Sequence, residues 1–81
     1  MGDKFIKKYW EEECILFYIH FQKGLAIRQV EITDKSKVRL SLANPFQGGS
    51  MLYDQHIDDL ELLSSDFITE DEFNHIGNES N

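Results

Sequence analysis

Three histidines, one cysteine and a cluster of aspartates are the side chains of this 81-residue chain that are best suited to chemistry. His56 lies close in sequence to Asp54, Asp58 and Asp59, and imidazole together with carboxylate groups can bind a divalent cation. No second histidine follows at the spacing of one helical turn, and no cysteine is near. We therefore expect an exposed acidic segment here, with no metal ion and no cofactor.

Cys14 could form a nucleophilic pair with a histidine, because a neighbouring imidazole favours the reactive thiolate. The sequence places no third, orienting residue beside such a pair. Ser50, Ser64 and Ser65 lack the glycine-flanked context of a hydrolase nucleophile. We therefore expect no catalytic residues, and a protein that is not an enzyme.

The aromatic residues are more informative about binding, since exposed tyrosine and tryptophan side chains often anchor protein interfaces. The ten aromatic residues of the chain are too many for the core of so small a domain. Trp10, Tyr18 and Tyr53 are the candidates for an interface. For Tyr18 two readings stay open: its strand face is exposed to a partner, or it is covered by the helix or by residues 51–63.

The charged residues divide the chain into two halves. Residues 1–40 hold all eight Lys and Arg with six acids, whereas residues 41–81 hold nine acids and no Lys or Arg, within a net charge of −7. Such a field repels phosphate, so we expect neither nucleic acid nor an anionic membrane as a partner. We expect these acids to form one continuous anionic face that includes Asp54, Asp58, Asp59 and Glu61.

Apolar residues that alternate with polar ones predict the strands that would position these groups. Strands are predicted at residues 5–10, 14–22, 25–33 and 37–42, with a short edge strand at 51–53. Short connections, among them a turn at residues 23–24, indicate an antiparallel meander. A change of apolar parity after Ile27 predicts a β-bulge near residues 28–29. The odd positions of the second strand are expected to face the core, which leaves His20 partly exposed on the other face.

Residues 69–72 have the pattern of a capping box, in which the Thr69 hydroxyl accepts from the backbone amide of Glu72 and the Glu72 side chain accepts from the backbone amide of Thr69. Phe73 and Ile76 supply the apolar side of the helix that follows, and Gly77 is expected to end it. A helix this short is stable only when it is docked.

The predicted fold is therefore α+β: an antiparallel meander of four to five strands with a short C-terminal α-helix packed on the sheet. At this length we expect one domain, residues 1–77, followed by a frayed tail at 78–81. The single Cys14 cannot form an internal disulfide, and the longest apolar run falls short of the roughly 20 residues of a membrane helix. No signal segment is evident at residue 1, so the expected compartment is the cytoplasm.

Four stretches of the sequence occur in an order that resembles a small bacterial domain family of unknown function. They are residues 5–7 with Trp10, residues 27–32, residues 57–60, and residues 68–73 with Ile76. The family opens with an aromatic-Ile-Lys run and a Trp, carries an Arg-x-Val-Glu-Ile strand and closes on an Ile-Ser/Thr-x-x-Glu-Phe helix. This chain departs from it at Gly77, where the family pattern has Trp. The resemblance implies an architecture and no activity.

These observations predict a small acidic protein-interaction module without enzymatic activity. Its partner is expected to be a protein, in particular a basic one, and an immunity- or inhibitor-type role is suggested by analogy with other small acidic domains. The alternative is a structural or homodimerising domain whose acidic surface only confers solubility. The predicted partner-binding residues are Asp54, Asp58, Asp59, Glu61, Tyr53, Tyr18 and Trp10.

Overall fold

A computed structural model describes residues 2–47 and 49–78 of the chain. Its strands are β1 (Asp3–Trp10), β2 (Ile15–Gln22), β3 (Leu25–Ile32), β4 (Lys37–Ser41), β5 (Phe46–Gln47), β6 (Ser50–Met51) and β7 (Phe67–Ile68), and its helix is α1 (Glu70–Asn78). Five of the strands form one antiparallel sheet in the order β4-β3-β2-β1-β7, and β5 pairs with β6 in a separate hairpin. This confirms the predicted α+β meander with a short C-terminal helix.

The long strands follow the predicted alternation, but both faces of the sheet are covered. One face, here called the groove face, carries Ile6, Ile19 and Phe21, and segment 52–62 packs on it through Leu52 and Ile57. Segment 52–62 contacts the sheet through these side chains and through one isolated β-bridge between His56 and Leu25. It thereby buries apolar side chains that so small a domain could not cover otherwise.

The opposite face, here called the helix face, carries Phe5, Tyr18 and Val30 and is covered by α1 through Phe73. Phe73 is 1% exposed, and its ring centroid lies 5.5 Å from that of Phe5. Tyr18 is buried at 7% exposure, because it lies beneath the helix. The prediction that Tyr18 is open to a partner is therefore wrong, and the alternative, that the helix covers it, is correct.

The bulge in β3 lies one residue before its predicted place. His20 pairs with Arg28 and Phe21 pairs with Ala26, so Ile27 is the additional residue. The additional residue of a bulge reverses which face the following side chains of the strand point to. As a result, Val30 faces the helix, whereas the polar residues on either side of it in β3 face the groove side.

One half of the predicted capping box forms, with the Thr69 hydroxyl accepting from the Glu72 amide at 3.0 Å. The reciprocal bond from the Thr69 amide to the Glu72 side chain is absent from the described residues. Gly77 does not end the helix, which continues to Asn78. Glycine inside a helix costs only about 1 kcal/mol, which is less than the roughly 1.5–3 kcal/mol that burial of the Phe73 ring contributes. Residues 79–81 of the predicted tail lie outside the described residues.

Two short elements differ from the prediction. Residues 51–53 do not form an edge strand of the main sheet; instead Ser50 and Met51 pair with β5. The fifth strand of the sheet is β7, which pairs only with Phe5 and Ile6 of β1. In the described part of the chain the longest helix has nine residues, and no helix there has the length and apolar character needed to cross a membrane.

Candidate functional site

A groove of about 530 Å³ opens on the groove face, between the β1–β2 end of the sheet and segment 49–54. Its walls are mostly apolar and aromatic, which is typical of binding sites. The aromatic residues of the lining are Tyr9, Trp10, Phe17 and Tyr53. Met51, Leu52 and Leu60 line the side formed by the covering segment.

Gln29 and Glu31 form the polar floor of this groove. Both are buried, at 2% and 7% exposure. The Gln29 side-chain amide donates to Glu31 Oε2 at 2.7 Å, and the Ser50 hydroxyl donates to Glu31 Oε1 at 2.9 Å. Gln29 also accepts from the Tyr53 amide at 2.8 Å and donates to the Met51 carbonyl oxygen at 3.3 Å. These hydrogen bonds hold segment 50–53 against the sheet.

The Glu31 carboxylate has hydrogen-bond donors but no cation beside it. Among residues 2–47 and 49–78, no Lys, Arg or His nitrogen forms an ion pair with Glu31. Lys8, which also lines the groove, pairs instead with Asp66 at 3.5 Å. A buried charge is costly unless an opposite charge compensates it, so Glu31 is an unusual residue to find here.

Sequence reasoning missed both floor residues because they lie between the apolar residues of an otherwise ordinary strand. The signal that could have found them is the pairing register. Ile19 pairs with Gln29 and Phe17 pairs with Glu31, and directly paired residues lie on the same face of a sheet. Because Ile19 and Phe17 face the core, their pairing partners Gln29 and Glu31 face it as well.

Three of the predicted partner-binding residues, Trp10, Tyr53 and Asp54, line the groove. Trp10 is 48% exposed and lies 6.0 Å from Phe17 between ring centroids. Burial raises the pKa of the Tyr53 phenol, and the carboxylates of Asp59 and Asp54 raise it further. The groove therefore has an aromatic wall in a negative electrostatic field.

The other predicted acids, Asp58, Asp59 and Glu61, are exposed on the segment that covers the groove face. With Asp54 they make up what is here called the acidic segment. Asp58 also belongs to a short 3-10 turn, where its amide donates to His56 Nδ1 at 3.1 Å.

The prediction of one continuous anionic face is wrong. The acidic segment covers the groove face, whereas Glu70, Asp71 and Glu72 lie in the first turn of the helix, on the opposite face. The sheet separates the two groups because the two covering segments pack on its two sides. Asp66 is moreover neutralised by Lys8. Among the acids of residues 41–81, Asp54 of the acidic segment is the one that lines the groove in the part of the chain that the structure describes.

His20 is buried at 5% exposure, so the expectation that it is partly exposed is also wrong. Its ring stacks on Phe5 at 4.2 Å between centroids. Arg28 Nε lies 3.1 Å from Nδ1, and Asp3 Oδ2 lies 3.2 Å from Nε2. Because Arg28 can only donate, Nδ1 accepts and Nε2 carries the proton that is donated to Asp3.

This arrangement also changes the pKa of Asp3. The hydrogen bond from His20 lowers the pKa of Asp3 below its usual value. Both ring nitrogens of His20 are thus occupied by Asp3 and Arg28, and neither faces a nucleophile. The cluster therefore ties strands together and offers no pair for acid–base chemistry.

The remaining candidates from the sequence stay apart. The Cys14 thiol is exposed in the β1–β2 turn and donates to the backbone oxygen of Glu11 at 3.7 Å. His75 is exposed on α1. In the described ranges, no group of three His, Cys, Asp or Glu side chains comes close enough together to hold a metal ion.

Comparisons of the chain with protein-family models, with curated proteins and with solved structures find no match. The family resemblance drawn from the residues therefore stays a prediction.

Proposed function

We propose that this protein is a small acidic protein-interaction module, without enzymatic activity, that covers a basic surface of a partner protein. The observation that carries the proposal is that Asp54, at the start of the acidic segment, lines a groove walled by exposed Trp10 and by Tyr53. Buried aromatic anchors supply much of the affinity of an interface, and complementary charges supply its selectivity for a partner. This surface combines the two.

An immunity- or inhibitor-type role is the specific form of this proposal. Such a protein acts by occupying a basic surface of its target, and it needs a docking surface rather than catalytic groups. The buried His20 supports a non-enzymatic role because both its nitrogens are bound within the fold. We propose the cytoplasm as the compartment, since a chain with one cysteine has no internal disulfide to form.

The proposal is tested by reversing the charge of the acidic segment. Asp58, Asp59 and Glu61 are changed to Lys, which moves the net charge from −7 to −1. The bait is used to capture its partner from the native cell, and the partner is identified by mass spectrometry. We expect capture to be lost while the circular dichroism spectrum is unchanged.

The matched control carries Asp34→Lys, Glu70→Lys and Asp71→Lys, which gives the same net charge of −1 with the acidic segment intact. We expect this control to retain capture. If the acidic-segment variant retains capture, or if both variants lose it equally, the acidic segment is not the docking surface.

One observation favours the alternative, a homodimer. Strand β7 pairs only with Phe5 and Ile6, so β1 from Lys7 to Trp10 has no neighbouring strand on its outer side among the described residues. Tyr9 and Trp10 are exposed there. An unpaired strand edge is a template for pairing with another chain, and two such edges would pair about a two-fold axis.

Sedimentation velocity across a wide concentration range separates the two functions. A dimer whose dissociation is promoted by Lys7→Pro or Tyr9→Pro in β1 would favour the structural role. A monomer at all concentrations would leave the interaction module as the only proposal. The proposed dimer does not use Tyr18, because α1 covers that residue.

A further inference from the structure

We propose that the groove receives an arginine side chain, which an apolar segment of a partner protein inserts past Trp10 to reach the Glu31 carboxylate. This inference rests on the proposed function and specifies the chemistry of its partner. It assigns Glu31 as the residue that selects the cation, and Trp10 and Tyr53 as the walls against which the side chain packs.

The first step of the argument is the uncompensated charge of Glu31. The residue is 7% exposed and lines the groove, and its two oxygens accept from Gln29 and Ser50. Each carboxylate oxygen can accept more than one hydrogen bond, so acceptor capacity remains. Within residues 2–47 and 49–78 no cation neutralises this carboxylate. A cation supplied by a partner would do so.

The second step concerns the walls. Trp10, Phe17 and Tyr53 line the same groove as Glu31. Aromatic faces attract cations, and tryptophan does so most strongly. The combination of aromatic walls with a carboxylate floor suits a cationic group on an apolar stem. It disfavours anions, which the Asp54 and Glu13 carboxylates of the lining would also repel. Lys8 also belongs to the lining, but its charge is paired with Asp66.

The third step concerns size and shape. A volume of about 530 Å³ exceeds what one side chain needs and suits two or three residues of a peptide. Trp10 is half exposed and belongs to the groove lining, so a protruding segment can reach the groove beside it. Arginine is preferred to lysine because its planar guanidinium stacks on aromatic rings and offers forked donors to a carboxylate.

The single tryptophan of the chain reports directly on occupancy. The probe is the peptide acetyl-Gly-Leu-Arg-Leu-Gly-amide, compared with the same peptide carrying citrulline, which has the shape of arginine without its charge. Binding is followed by Trp10 fluorescence and by amide chemical shifts. We expect the arginine peptide to bind about tenfold more tightly than the citrulline peptide to the natural sequence, as a charge-assisted hydrogen bond predicts.

The deciding variant is Glu31→Gln, since glutamine can keep the hydrogen bonds to Gln29 and Ser50. We expect the preference for arginine over citrulline to disappear in this variant. Asp34→Asn is the matched control, because it removes one negative charge outside the groove lining, and it should keep the preference. Chemical denaturation of each variant checks that it is folded.

Equal binding of the two peptides to the natural sequence would overturn the inference, and so would a preference that survives Glu31→Gln. A lysine peptide that binds as tightly as the arginine peptide would overturn the choice of arginine. These outcomes leave the proposed function standing if partner capture is still lost on reversing the acidic segment. Retained capture in that variant would remove the proposed function itself.

Discussion

Both faces of the sheet bury polar residues, but the charged groups are paired with opposite charges on only one of them. On the helix face, His20 lies between Asp3 and Arg28, so a carboxylate and a guanidinium accompany the imidazole. Arg28 also lies over the Phe73 ring, with Cζ 5.0 Å from the centroid. On the groove face, Glu31 has hydrogen bonds to neutral donors only.

The difference indicates which face is built for stability and which for binding. A polar cluster whose charges are compensated within the fold does not need a partner to compensate them. A buried carboxylate without a neighbouring cation is destabilising, and a cationic partner can compensate its charge. The helix face, where the charges balance, therefore supports the fold, and the groove face, with its larger cavity, is the candidate site.

The largest expected effect tests the structural role of the helix face. Phe73→Ala removes the ring that seals this face, and we expect a loss of about 3–5 kcal/mol in the free energy of unfolding. This is much of the roughly 5–15 kcal/mol that a domain commonly has. Phe67→Ala, at an exposed ring, is the control and should cost under about 1 kcal/mol. Urea denaturation measures both, and similar losses would break the comparison.

The next prediction concerns how the groove face is covered. The Ile57 amide donates to the Gly24 carbonyl oxygen at 2.8 Å, and a Cβ at Gly24 would overlap the His56 imidazole. Gly24→Ala should cost about 2–3 kcal/mol, part of it from strain at a φ of +84°. Gly49→Ala has a similar φ of +86° with open space around it, so it should show the strain alone, about 1 kcal/mol.

A second substitution tests whether the cost of Gly24→Ala comes from steric overlap with His56. Replacing His56 with Ala as well should recover the part of the loss that comes from steric overlap, which a double-mutant cycle isolates. If Gly24→Ala and Gly49→Ala cost the same, the covering segment does not depend on close packing at Gly24.

The third prediction sharpens the contrast between the faces. Glu31→Gln removes the uncompensated charge and can keep the shape and both hydrogen bonds of the floor, because the Ser50 hydroxyl can accept as well as donate. We expect the free energy of unfolding to stay level or to rise by about 1 kcal/mol. Asp3→Asn on the helix face should lower it instead. A large loss of stability in Glu31→Gln would assign Glu31 a purely structural role.

The smallest expected effect is on acid stability. The Leu63 amide and Lys8 lower the pKa of Asp66, and the hydrogen bond from His20 lowers that of Asp3. A carboxyl with a lowered folded-state pKa stabilises the fold above its unfolded pKa near 3.9, and this contribution is lost as the pH falls through the folded value. Both groups are at the surface, so the contribution is modest.

Thermal midpoints measured between pH 2 and 7 check this. Asp3→Asn and Asp66→Asn should each make the acid limb of the profile shallower, while Asp34→Asn should leave it unchanged. An acid limb that is identical in all three variants would contradict the assignment.

The sequence predicted the parts of the fold that depend on local pattern. The long strands, the turn at Lys23 and Gly24 and the Thr69 cap each depend on residues that are close together in the chain. Strand β7 escaped prediction because two residues carry no periodicity. The position of the bulge could be predicted only to within one residue, since either neighbouring position restores the alternation.

The candidate site was predicted only in part. Trp10, Tyr53 and Asp54 were expected at an interface from their residue types, and they line the groove. Glu31 was missed because its burial depends on the pairing of β3 with β2 and on the way residues 50–53 fold back over the sheet. Tyr18 and His20 were misplaced because the docking side of the helix is decided by tertiary packing.

Gly24 has a consequence for recognising distant relatives of this chain. Its carbonyl oxygen holds the covering segment, and the His56 ring occupies the space where any larger residue would place its side chain. Divergence can replace most surface positions of this domain at little cost, but a glycine in the second hairpin turn and a ring about thirty residues later should change together or not at all. Conservation of both the glycine and the ring would indicate common ancestry even where the overall sequence identity is low.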